Sequence, residues 1–214
     1  MIVEGIDIQR IAHACVRLQA EGLVVYVDPF QVPAPEPADV ILVTHDHPSH
    51  LSLPDIQKLL APGTTVIIGP VSHPPLLQLD PLDHLVVLGP QEAYEGEGFT
   101  VETVAAATPA TDQASGRPRH PRDDEGMGFV VTLGGKRIYH AGDTDVLPEM
   151  QRLGKIDVAL LPVSGKTVMG AVEAIQAAET IKPGVAIPIH WGAGEGTRED
   201  AEAFVRGFAP SVLV

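Results

Sequence analysis

The chain of 214 residues carries 44% hydrophobic and 20% charged side chains, the balance of one ordinary globular domain and not of a disordered polymer. Its 28 acidic and 14 basic residues give a formal net charge of −14, which argues against nucleic-acid binding and against docking on anionic membranes. A single cysteine, Cys15, excludes an internal disulfide framework and a four-cysteine zinc site. Aromatics make only 4%, so the core must be built mostly from Val, Leu, Ile and Ala. The stretch Met1–Asp7 does not read as a signal peptide, and no apolar run is long enough to span a bilayer, so a cytoplasmic location is expected.

The first third reads as β-structure. Ile2–Ile8, Ile11–Gln19 and Leu23–Val27 are rich in β-branched residues, with Glu21-Gly22 as a turn before the last. Asp28-Pro29-Phe30 ends the third run, and the prolines of Val32–Pro37 mark a loop. Asp39–Thr44 is continuously apolar, as in a strand covered on both faces. Ser52-Leu53-Pro54-Asp55 is a helix start, and the helix runs to about Leu60. Strands are expected at Thr65–Ile68, His84–Leu88 and Phe99–Ala107. The polar segment Pro109–Gly126 reads as a long loop. Met127–Leu133 and Lys136–His140 form a hairpin around Gly134-Gly135. Helices follow at Val146–Leu153, Ala171–Ile181 and Arg198–Phe208, and strands at Asp157–Leu161, Val185–Ile189 and Ser211–Val214. In the second helix Val172, Ile175 and Ile181 share a face. Consecutive strands followed by alternating strands and helices suggest two sheets held between helices.

Chemistry concentrates where strands end. In Thr44-His45-Asp46-His47-Pro48-Ser49-His50, alternation points His45 and His47 to one side, and a turn at Pro48 brings His50 round. Clustered imidazoles at the end of a buried strand need a partner, and a borderline cation such as Zn²⁺ suits them. His140-Ala141-Gly142-Asp143-Thr144 supplies a carboxylate after another strand, one able to fix or bridge metal ions. Ile187-Pro188-Ile189-His190 is a third strand ending in a candidate ligand. The histidine cluster after a buried strand points to metal binding on its own, whereas the Asp143 and His190 segments are each weak alone; the three together support one another.

Together these segments resemble the metallo-β-lactamase superfamily. The resemblance adds His13-Ala14, Val27-Asp28-Pro29-Phe30 and Asp157-Val158-Ala159-Leu160-Leu161-Pro162, and covers most of the chain. It is closest to the branch holding L-ascorbate-6-phosphate lactonase and N-acylphosphatidylethanolamine-hydrolysing phospholipase D. It implies an α/β (α+β) fold, a four-layer αββα sandwich formed by a single domain over residues 1–214. It implies one or two Zn²⁺ ions, with Mn²⁺ or Fe²⁺ as alternatives. His45, His47 and a middle histidine would hold the first ion, His50 and His190 the second, and Asp143 would bridge them. For the middle histidine, His120 in the Pro109–Gly126 loop is preferred to His140, which directly precedes the Asp143 turn.

The family pattern His-x-His-x-Asp-His carries Ser49 in place of its Asp. A neutral hydroxyl is a poorer ligand than a carboxylate and cannot serve as a carboxylate base. A weaker second ion is therefore expected. Asp46 is the nearest substitute, although alternation points it away from His45 and His47. Asp143, Ser49 and Asp46 are the candidate catalytic positions. Two readings of His13 stay open: near the site as a donor to substrate or to a ligand's carboxylate, or a half-buried hairpin histidine. Asp28 either supports a ligand from behind or caps a turn, Lys166 is read as an exposed loop residue, and Trp191 either walls the pocket or packs. His73 and His84 are read as surface residues, and Cys15 as a small core residue.

The resulting expectation is a metal-dependent hydrolase acting on an ester, lactone, amide or phosphodiester of a small molecule. No nucleic-acid or membrane partner is expected, and a homo-oligomer is left open. The competing reading, kept alive by Ser49, is a degenerate relative that binds one metal or a ligand without turnover.

Overall fold

The computed structural model describes residues 1–111, 118–122 and 126–214. Two sheets dominate, with strands numbered in chain order. The first sheet holds β1 (Ile2–Val3), β2 (Ile6–Ala12), β3 (Cys15–Ala20), β4 (Leu23–Val27), β5 (Val40–Val43), β6 (Thr65–Ile68) and β7 (His84–Val87), arranged in that order. Its first four strands form an antiparallel meander, and β4 to β7 are parallel. The second sheet runs β15 (Val185–Ile189), β14 (Val158–Pro162), β13 (Lys136–His140), β12 (Met127–Leu133), β9 (Phe99–Ala105) and β8 (Ala93–Gly96). Here β13, β14 and β15 are parallel and the remainder antiparallel. A small ribbon pairs β10 (Thr108–Thr111) with β11 (Pro118–His120).

The two-residue period of a strand sorts the core into layers. Val40, Leu42 and Ile67 of the first sheet face Val101, Phe129, Val131, Ile138, Val158, Leu160 and Ile187 of the second. The alternate residues Ile41, Val43, Val66 and Ile68 face outward, where Ile56 and Leu59 of helix α1 (Leu53–Leu59) cover them. On the far side Tyr139, Ala159, Leu161 and Ala186 meet helices α2 (Ala171–Ile181) and α3 (Arg198–Gly207). The layers are thus helix, sheet, sheet, helices, the expected αββα sandwich.

Several elements differ from the sequence expectation, each for a local reason. The run Ile11–Gln19 is divided: β2 ends at Ala12 and β3 starts at Cys15, with His13 at the corner in the left-handed conformation (φ 53°). No glycine or proline marks that corner. Pro148 starts a short 3₁₀ turn over Pro148–Arg152 in place of an α-helix. The buried face of α2 is Ala174, Ala177, Ala178 and Ile181, whereas Val172 is 70% exposed, because small side chains let the helix lie close to the sheet. The last run, Ser211–Val214, contributes one bridge to Ala186. Polar β8 extends the second sheet, and β9 stops at Ala105. The expected loop Pro109–Gly126 contains β10 and β11, and its residues 112–117 and 123–125 lie outside the described residues.

Phe129, fully buried between the sheets, reports on the central layer. Phe129→Ala is expected to lower the unfolding free energy by about 3–5 kcal/mol, read from urea midpoints at constant m-value.

Candidate metal centre

The site forms at one edge of the sandwich, where strand ends from both sheets meet. Asp28 follows β4, Thr44 and His45 follow β5, Asp143 follows β13, and His190 follows β15. His120 ends β11, and His13 turns the corner between β2 and β3. The turn that presents Asp143 requires glycine: Gly142 has φ 65°, and a Cβ there would lie 2.5 Å from the Met127 carbonyl oxygen. A cleft of about 350 Å³ opens over the cluster, lined by His13, His47, Ser49, Arg119, His120, Asp143, Thr167, His190, Ala193 and Glu195.

Asp143 is the hub. Its Oδ2 lies 3.7 Å from His45 Nε2 and 3.4 Å from His120 Nε2, Oδ1 lies 3.3 Å from His50 Nε2, and His190 Nε2 lies 3.2 Å from each oxygen, hydrogen-bonding Oδ2. On the Oδ2 side, His47 Nδ1 is 3.0 Å from His45 Nε2 and 3.3 Å from His120 Nε2. Donors about 2.0–2.1 Å from a tetrahedral ion lie about 3.3–3.4 Å apart, so His45, His47, His120 and Asp143 have the spacing of a cation cage. His50 Nε2 and Asp143 Oδ1 are buried with no hydrogen-bond partner, which a cation on the Oδ1 side would relieve. The donor set, imidazoles with one shared carboxylate, fits Zn²⁺ or Fe²⁺.

Partners behind the ligands fix the ring orientations. Asp28 accepts from the Thr44 backbone N–H and hydroxyl, each at 2.8 Å, and from His50 Nδ1 at 2.7 Å. The Thr44 hydroxyl in turn accepts from His45 Nδ1 at 2.9 Å. One buried carboxylate therefore sets the tautomers of two candidate ligands, leaving each Nε2 lone pair aimed into the site. Thr108 Oγ1 contacts His120 Nδ1 at 3.0 Å, and Ser164 Oγ contacts His190 Nδ1 at 3.2 Å. His140 has both ring nitrogens engaged: Nε2 donates to the Ala14 carbonyl at 2.9 Å and Nδ1 accepts from Gly142 N–H at 3.2 Å. It braces the Asp143 turn and has no lone pair left for an ion.

The expected ligands His45, His47, His50, His120, Asp143 and His190 are brought together, and Ser49 lines the cleft. Asp46 is not brought in. It is exposed and outside the cleft lining, because the extended backbone that turns His45 and His47 inward turns Asp46 out. Lys166 is exposed, and Trp191 packs under the Arg10 guanidinium, 3.6 Å from the ring centroid, with its Nε1 donating to the Pro188 carbonyl. The sequence left His13 undecided: it is 3% exposed, lines the cleft, and its ring centroid lies 3.7 Å from that of His190.

A double-sheet sandwich with an aspartate buried among histidines at one edge defines a metal-binding enzyme of the metallo-β-lactamase type. The Beta-lactamase superfamily domain matches residues 7–190. A UPF0173 metal-dependent hydrolase from Methanospirillum hungatei is 31% identical, with 93% of this chain and 89% of that protein covered. One from Thermus thermophilus is 32% identical, over 94% of this chain and 90% of its own. A solved structure from Parabacteroides distasonis, described as a candidate metal-dependent hydrolase, superposes with TM-score 0.78 at 26% identity, covering 97% of this chain and 92% of that one. The chain belongs to the metallo-β-lactamase superfamily and, within it, to the UPF0173 metal-dependent hydrolases.

The buried groups set a pH optimum for the stability of the metal-free protein. Burial, then the neighbouring His190 and His50, push His13 down from 6.5 to about 3. Burial likewise lowers His45 and His120. Burial opposes charge on His50 too, but Asp143 and Asp28 raise it to about 9. Burial would raise the Asp143 carboxyl, yet His50, His190 and His45 hold it well below the usual carboxylate range. Groups lowered in the folded state lose their stabilisation as pH falls below the ordinary value, and a raised histidine loses its own as pH climbs from 6.5 to about 9. Urea midpoints of chelator-treated protein are therefore expected to peak near pH 6.5, the ordinary histidine value, and to fall on both sides. A midpoint rising steadily from pH 6 to 9 would show that His50 is not held by its carboxylates.

Proposed function

We propose that the protein hydrolyses an ester, lactone, amide or phosphodiester bond of a small molecule at this centre, with one or two Zn²⁺ ions as cofactor. The observation that carries the reading is the Asp143 carboxylate, buried between imidazoles on both of its oxygens. Bound there, a divalent ion supplies a Lewis acid that lowers the pKa of water towards neutrality and polarises the oxygen of the scissile bond.

The chain's own groups do the remaining work. Asp28, through His50 directly and His45 by way of Thr44, keeps the ligands oriented before substrate arrives. Arg119 and Glu195 line the same cleft as the ligands and offer both signs of charge to a polar substrate. The Thr167 hydroxyl donates to Glu195 Oε2 at 2.5 Å, which ties that wall to the loop before α2. Ser49 borders the cleft with a neutral hydroxyl, which leaves Asp143 and Glu195 as the carboxylates that line it. Lactones are the first class to test, following the lactonase branch that the motifs resemble. The competing reading, binding without turnover, draws on Ser49 alone.

Chromogenic esters, lactones, amides and phosphodiesters assayed with Zn²⁺-loaded protein test the proposal. Turnover of at least one class is expected, abolished by chelation and by Asp143→Ala, and restored to chelated protein by Zn²⁺. Turnover that persists in protein shown by mass spectrometry to be metal-free would overturn it, and loaded protein inert towards all four classes would favour the binding reading.

A further inference from the structure

Ser49 leaves the Oδ1 side of Asp143 with only His50 and His190 among the expected ligands. A third imidazole stands beside them. One ring nitrogen from each of His13, His50 and His190 lies within 4.8 Å of the others, and all three side chains are buried. The His13 Nδ1 is buried with no hydrogen-bond partner, and its ring centroid is 5.4 Å from that of His50. Phe30 closes the other side at 6.3 Å, so the His13 ring has an apolar wall behind it and the cleft in front.

The backbone holds this placement against its own preference. His13 and His190 both adopt left-handed φ values, 53° and 59°, a region that residues with a Cβ enter at a cost. The His190 N–H donates to the His13 carbonyl at 2.9 Å, so the corner of the first sheet and the strand end of the second are clamped to each other. Arg10 reinforces the clamp, stacking on Trp191 and donating to its carbonyl at 3.2 Å. Strain kept beside two buried ring nitrogens without a partner, His13 Nδ1 and His50 Nε2, points to a ligand that rewards it.

We propose that His13 is the third protein ligand of a second metal ion, taking the coordination position that the Ser49 hydroxyl leaves unfilled. The proposal rests on the metal-centre reading above. The centre then consists of two imidazole triads, His45/His47/His120 and His13/His50/His190, sharing Asp143. With six nitrogen donors and a single carboxylate, it selects Zn²⁺ or Fe²⁺ over the harder Mn²⁺ and Mg²⁺. The weaker second ion expected from Ser49 alone is replaced by two firmly held ions.

His13→Asn removes the imidazole and keeps a residue that tolerates left-handed backbone. Zn²⁺ binding is measured by mass spectrometry after dialysis and by competition with a chromophoric chelator. Wild type is expected to hold two ions. Folded His13→Asn keeps one, with the second weakened by more than the roughly 10–100-fold that loss of an outer partner costs. Adding Ser49→Asp to His13→Asn is expected to restore the second ion by returning a carboxylate to the site. In ¹⁵N-histidine-labelled wild type, the His13 ring nitrogen signal shifts with the second equivalent of Zn²⁺, a readout that needs no variant. Two ions held equally well by wild type and folded His13→Asn, or a His13 signal unmoved by two equivalents, would overturn the assignment while leaving the first site intact. Wild type that binds no Zn²⁺ would overturn the metal-centre reading as well.

Discussion

The edge of the sandwich is organised around one buried carboxylate. Asp143 cannot be satisfied by neutral imidazoles alone: ring nitrogens surround both of its oxygens, and one oxygen has no hydrogen-bond partner. A carboxylate out of water needs positive charge close by, and clustered imidazole lone pairs need an acceptor of electrons. A divalent cation meets both needs, and a proton on His50 meets them only in part. The rest of the structure serves to bring these groups into one volume.

The fold does this by topology. Parallel strands in both sheets end on the same side, so the residues that follow β4, β5, β13 and β15 converge although they lie far apart in the chain. Tight turns then aim the side chains. Asp28, His13 and His190 all carry left-handed backbone, and Gly142 does so beside Asp143. Strained corners cluster where geometry is dictated by function, and the two face-to-face sheets over-determine them. Asp28 extends the same economy behind the ligands, since one carboxylate orients His50 directly and His45 through Thr44.

Much of this was legible in the residues. The buried strand before His45 showed as a continuous apolar run, and strand-end placement marked His45, His47, His50, Asp143 and His190. The His120 ring, drawn from a polar segment with several prolines, followed from family resemblance and not from any periodicity. The place of His13 was hidden for a physical reason. The run Ile11–Gln19 has β-propensity throughout, and a corner made by a histidine in left-handed conformation leaves no glycine or proline to read. Its neighbour His190 arrives from the other sheet, 177 positions on in the numbering, and no local pattern encodes that pairing. Val172 misled in the opposite sense: an apolar residue on a helix whose buried face is made of alanines. Polar β8 gave no alternation to find, because edge strands bury little.

With Ser49 in place of a second acid, two divalent ions held beside the Asp143 carboxylate would retain more net positive charge, which would strengthen the polarisation of substrate oxygens and of water. The central claim is that Asp143 sits between two ions. A crystal structure of Zn²⁺-loaded protein, with anomalous differences recorded on both sides of the zinc absorption edge, tests it most directly. Two anomalous peaks are expected, one on each side of the Asp143 carboxylate, each about 2 Å from one of its oxygens. A single peak bound by His45, His47 and His120, with Asp143 Oδ1 facing only protein or water, would contradict it.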